Sequence, residues 1–129
     1  MVWYILAALL LLLGQAFYVG ALLTRQVGPE NQTGPRDNLP EPTVELGRAR
    51  RAFANLQETL PIFLTIGLLI VIYDVGGWLV QAGGLLFLAG RVAHLYCYMN
   101  ALSPWRSVAF MVSLLGMLLM AVALVMAIV

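Results

Sequence analysis

Four long apolar runs, separated by three polar interruptions, dominate this chain. The first, Val2 to Leu23, is broken only by Gln15 and small residues. A helix needs about 20 mostly apolar residues to cross hydrocarbon, so this run is long enough to span. It has no basic leading segment, its apolar stretch is long, and no small-residue cleavage site follows, which favours a span over a signal peptide. From 24 to 42 the chain changes character: Gly28-Pro29, Gly34-Pro35, Pro40 and Pro42 predict a polar loop rather than a helix interior. Thr43 is then a suitable N-cap, with Glu45 placed where the helix dipole favours an acid. The second helix is expected over 43–73, with a polar first half (Glu45 to Thr59) and an apolar second half (Leu60 to Tyr73). Asp74-Val75-Gly76-Gly77 predicts a tight turn, 78–101 a third helix, Ser103-Pro104 a break, and 105–129 a fourth, nearly all aliphatic helix. Short connections make consecutive helices antiparallel neighbours. The expectation is an all-α, integral membrane, up-down-up-down four-helix bundle forming one domain over 1–129.

Composition agrees with a lipid solvent. Of the 129 residues, 62% are hydrophobic and 10% charged, with mean hydropathy +0.92. A soluble domain carries about a quarter charged residues, and one this small could not hide so much apolar surface. The net charge of +1 gives no clustered basic face for a nucleic acid. One His and one Cys leave a structural zinc site without its usual four ligands, and a single cysteine excludes an internal disulfide. All seven cationic side chains are arginine. Arg25, Arg36, Arg48, Arg50 and Arg51 crowd the first connection and Arg106 lies in the third, so the positive-inside rule puts both in the cytoplasm and both termini outside. Trp3, Tyr4, Tyr73 and Trp78 fall where an outer aromatic belt belongs.

Two polar stripes bear the candidate chemistry. Arg48, Arg51, Asn55 and Glu58 are spaced 0, 3, 7 and 10 along the second helix. At about 100° per residue they occupy one face, within roughly 80° of arc. Arg91, His94 and Tyr98, spaced 0, 3 and 7, form a matching stripe on the third helix. Ionisable groups at membrane depth normally face protein or a water-filled cavity. Arginines for carboxylates, a glutamate for an amine and an asparagine between them would suit a zwitterionic, peptide-like ligand. The competing possibility is that the same residues only pair across helices and hold the bundle together.

The segment Arg48-Ala49-Arg50-Arg51-Ala52-Phe53-Ala54-Asn55-Leu56-Gln57-Glu58-Thr59-Leu60-Pro61-Ile62-Phe63 resembles the second-helix signature of the MAPEG family, membrane-associated proteins in eicosanoid and glutathione metabolism. Seven positions match at fixed spacing: Arg48, Arg51, Ala52, Asn55, Glu58, Pro61 and Phe63. Arg91-Val-Ala-His94-Leu-Tyr-Cys-Tyr98 is similar to the third-helix pattern of the family's glutathione transferases, and Pro104-Trp105-Arg106-Ser107 to its arginine-bearing turn. The first loop looks most like the bacterial branch, which implies an inner membrane. The resemblance implies a homotrimer binding glutathione as co-substrate between subunits near the cytoplasmic face. Arg48, Arg51, Asn55, Glu58, Arg91, His94 and Tyr98 would form the glutathione site, with Arg106 stabilising the thiolate that attacks a lipophilic small-molecule substrate. Phe53 and Thr59 depart from the pattern, which has a glutamine and a tyrosine there; both changes imply lost polar contacts to glutathione. A non-catalytic lipid-binding or scaffold member is the alternative. A small multidrug-type pump would need a carboxylate in its first helix, and Val2 to Leu23 has none.

Overall fold

The computed structural model describes residues 1–129 as four helices: α1 (Val2–Thr33), α2 (Val44–Ile72), α3 (Trp78–Met99) and α4 (Trp105–Ile128). All four are long and apolar enough to cross a membrane. The boundaries of α2, α3 and α4 fall within two residues of those expected. Thr43 caps α2 as anticipated, its hydroxyl accepting from Leu46 N–H at 3.2 Å.

The first helix differs from expectation. Helical backbone continues past Leu23 to Thr33 and is interrupted rather than ended at Gly28, whose φ of 82° and ψ of 162° are non-helical. Glycine adopts positive φ without a Cβ penalty, and Pro29 restarts the helix because its fixed φ and missing N–H suit a first helical position. The carboxamide of Asn31 reaches back across the break to donate to the Val27 carbonyl at 2.9 Å, occupying an acceptor the interruption would orphan. The loop proper is therefore shorter than 24–42. Its far end is fastened by Gln26, which donates to the Glu41 carbonyl at 2.7 Å and accepts from Thr43 N–H at 3.1 Å.

Packing is uneven around the bundle. The helix α1 touches α2 and α3 but not α4. The α3–α4 pair is drawn together by small residues: a Cβ at Gly83 would lie 2.7 Å from the Gly116 carbonyl oxygen, one at Gly90 would lie 2.7 Å from Ser113 N, and one at Gly116 would lie 2.6 Å from the Gly83 carbonyl oxygen. Backbones approach this closely only where side chains are absent, the usual device of helices packing in lipid. Against this pair, α2 stacks Phe63 on Phe87 of α3, ring centroids 3.9 Å apart and nearly parallel. The ring of Tyr4 lies on α3 at Gly84, where a Cβ would meet it at 2.6 Å, so this belt residue also packs inward. Trp3 and Trp78 remain exposed at the end shared by the α1 start and the α2–α3 turn. The outward faces are lined with large apolar side chains such as Leu10, Phe17 and Met126, the arrangement expected when the solvent is hydrocarbon.

Candidate functional site

The two polar stripes face the same space. A cavity of about 460 Å³ between α2, α3 and the start of α4 is lined by Arg51, Asn55, Glu58, His94, Tyr98 and Arg106, with Ala54, Ser107, Phe110 and Met111 completing its wall. A second hollow of about 210 Å³ shares Arg51, Tyr98 and Arg106 with the first and adds Arg48 and the α3–α4 turn. Seven of the eight residues singled out in the sequence thus line one continuous polar recess. The α2 stripe enters it because its positions fall on one helical face, and Arg106 enters because the turn after Met99 brings the first residues of α4 back over Tyr98.

Tyr98 is the centre of the cationic end. The Arg106 guanidinium carbon lies 4.7 Å from its ring centroid and that of Arg51 lies 5.9 Å away, so two cations from different helices converge on one aromatic ring. His94 meets the same ring edge-on at 5.4 Å and is itself buried. Arg48 donates to the Met99 carbonyl at 3.4 Å, tying the start of α2 to the end of α3. Glu58, one turn below Asn55, is the only acid in the lining of the larger cavity. The recess is therefore cationic at its mouth and acidic further along α2.

The eighth residue, Arg91, is placed differently from expectation. It is 1% exposed, the largest of the fully buried side chains, and lies behind the cavity rather than in its wall. Its Nη1 donates to Asn55 Oδ1 at 2.7 Å, and its Nη2 donates to the Thr59 hydroxyl. The rings of Phe87 and Phe110 lie 5.7 Å and 5.2 Å from its guanidinium carbon. Its Nε has no hydrogen-bond partner. Burying a guanidinium on neutral partners is costly unless hydrogen bonds and aromatic faces replace water, and both are present here.

Thr59 is the residue whose role the sequence concealed. Its departure from the family pattern suggested a lost polar contact, yet its oxygen accepts from Arg91 while its proton is directed to the α2 carbonyls of Leu56 at 3.2 Å and Asn55 at 3.3 Å. Its spacing of one turn from Asn55 was the available signal, since i and i+4 share a helical face. Phe110 and Ser107 were also missed, because α4 shows no polar periodicity to distinguish a cavity wall from a lipid-facing run.

Beside the polar recess, α3 and α4 border an open apolar groove of about 420 Å³, which shares Cys97 and Leu102 with the smaller polar hollow and is flanked by Trp105 and Tyr96. The polar recess and the apolar groove thus meet at Cys97 and Leu102. The polar chamber can hold an anion against two guanidiniums, an ammonium against Glu58 and a hydrogen-bonding group at Asn55.

Comparison with known proteins bears on this geometry. The model of the MAPEG family matches residues 1–126. Two curated relatives, each called inner membrane protein YecN, from Escherichia coli strain K12 and from strain CFT073 of serotype O6:H1, are 32% identical to this chain over 79 residues. The matched part covers 61% of this chain and about 60% of the length of those relatives.

Proposed function

We infer the function from two facts together: the chain belongs to the MAPEG family, and Arg51, Arg106, Asn55 and Glu58 line one recess. The reading they support best is a glutathione-dependent transferase or peroxidase acting on lipophilic electrophiles. Glutathione is a zwitterion with two carboxylates, one ammonium and a thiol. In this proposal Arg51 binds a carboxylate, Glu58 the ammonium, Asn55 a peptide or carboxylate group between them, and His94 with Tyr98 shapes the pocket. Arg48 adds positive charge at the mouth.

The observation that carries the reading is the convergence of Arg51 and Arg106 on Tyr98. A thiol is a poor nucleophile until deprotonated, and a neighbouring cation lowers its pKa by stabilising the thiolate. Of the two guanidiniums, Arg106 lies at the start of α4 beside Trp105, which with Leu102 borders the apolar groove. It is assigned the thiolate, and the apolar side the second substrate. An electrophile dissolved in lipid would then meet the sulfur without crossing water, the membrane itself raising its local concentration. In this proposal the protein lies in the bacterial inner membrane, the compartment in the name of its relatives, and the positive-inside rule directs the arginine-rich connections to the cytoplasm. Homotrimer formation is part of the proposal: α1 does not contact α4, which leaves flanks of both helices for neighbouring subunits.

The test is ultraviolet difference absorbance of glutathione thiolate in purified protein at neutral pH. The expected result is a thiolate signal in the unmutated protein that is lost in Arg106→Ala while glutathione still binds within several-fold. Binding without thiolate in the unmutated protein would instead support the lipid-binding or scaffold role.

A further inference from the structure

We infer that Arg91 is a positioning residue: it fixes the orientation of the Asn55 carboxamide and thereby requires a hydrogen-bond acceptor on whatever ligand group sits over Asn55. The ligand's identity as glutathione rests on the function proposed above; the contact between the two residues does not.

The reasoning starts from donor and acceptor chemistry. A carboxamide ordinarily can be turned over, exchanging its oxygen and nitrogen. Arginine, however, offers only donors, and Arg91 Nη1 stands 2.7 Å from the Asn55 side-chain oxygen. The reversed amide would set donor against donor, so the oxygen must face Arg91 and the two N–H groups of Nδ2 are left for the cavity that Asn55 lines. The guanidinium cannot easily swing away. Its Nη2 is held by Thr59, whose own proton is committed to carbonyls of α2, and Phe87 and Phe110 lie close to its guanidinium carbon. With Arg51, Asn55 Nδ2 and Arg106 all donating, Glu58 is the one acid lining the recess. The polarity of the site follows: carbonyl or carboxylate over Asn55, ammonium at Glu58. Arg91, buried behind the cavity wall, sets the middle term of that pattern.

A double-mutant cycle on the full-length protein decides the matter, because a group acting only through its partner is redundant once the partner is gone. Melting temperature without ligand and glutathione affinity are measured for the unmutated protein, Arg91→Met, Asn55→Ala and the double variant. Each single variant is expected to lower affinity about tenfold, the scale of one hydrogen bond to a charged group. The double variant should bind no worse than Asn55→Ala, and its loss of melting temperature should be smaller than the two single losses added. Asn55→Asp keeps the acceptor for Arg91 and serves if Arg91→Met does not fold. It should melt no lower than the unmutated protein yet bind glutathione more weakly than Asn55→Ala, since it turns an acceptor into the cavity. Additive losses in both readouts, or unmutated affinity in Asn55→Asp, would overturn the inference. If the unmutated protein binds no glutathione, the proposed function fails, and the ligand-free melting temperatures alone decide whether Arg91 acts through Asn55.

Discussion

The two seams on α3 are built from opposite materials. Toward α4 it presents Gly83 and Gly90, and the backbones come so close that an added Cβ at either would fall within 2.7 Å of the partner helix. Toward α2 it presents Phe87, Arg91, His94 and Tyr98, and beyond the Phe63–Phe87 stack the helices separate around a polar cavity. The tight seam has little room to adjust, whereas the open one gathers Arg51 and Arg106 around a recess of about 460 Å³. The contrast suggests a division of labour. The glycine seam makes α3 and α4 one rigid unit, which fixes Arg106 against Tyr98, and the open seam presents α2's stripe to that unit.

The division can be broken from either side. Replacing Gly116 with leucine should have the largest effect, because the Cβ alone would lie 2.6 Å from backbone atoms of α3. Such overpacking against backbone is expected to cost about 3 kcal/mol or more, read as loss of the folded species on size-exclusion chromatography and a collapsed melting transition. Folding at near-normal temperature would show that the seam can open and that the rigid unit does not exist. Arg51→Ala should do the reverse, leaving melting nearly unchanged while weakening glutathione binding by about a hundredfold, the scale of removing one member of a charge pair. If both melting and assembly fail in Arg51→Ala, the α2 stripe is structural and the open seam is not a site. Thr43→Ala sharpens the contrast with a control outside both seams. Losing the hydroxyl that accepts from Leu46 N–H should cost about 1 kcal/mol of stability, measured as a small drop in melting temperature with glutathione affinity intact.

The sequence displayed the helices and the stripes plainly, because each rests on a periodicity that lipid enforces. Twenty apolar residues must be helical in hydrocarbon, and polar residues recurring at helical spacing must share a face. It displayed less well where one residue type has two uses. The pair Gly28-Pro29 looks like a terminator, yet in α1 it interrupts a helix that resumes. Arg91 shares its stripe with His94 and Tyr98, but stripe membership gives a direction and not a depth, and one arginine of the set is spent inside holding Asn55 and Thr59. Gly83, Gly90 and Gly116 lay in apolar runs where small residues are common, and only the facing helix reveals why they are small. The polar side chains that line the recess were legible; its buttresses were not.

The central claim is that the recess between α2, α3 and α4 binds glutathione, and calorimetric titration of glutathione into the detergent-purified, unmutated protein tests it most directly. Saturable binding that is competed by S-alkylated glutathione, which keeps the carboxylates and ammonium, is the predicted result. No heat of binding up to millimolar glutathione would contradict it and leave the recess to another ligand.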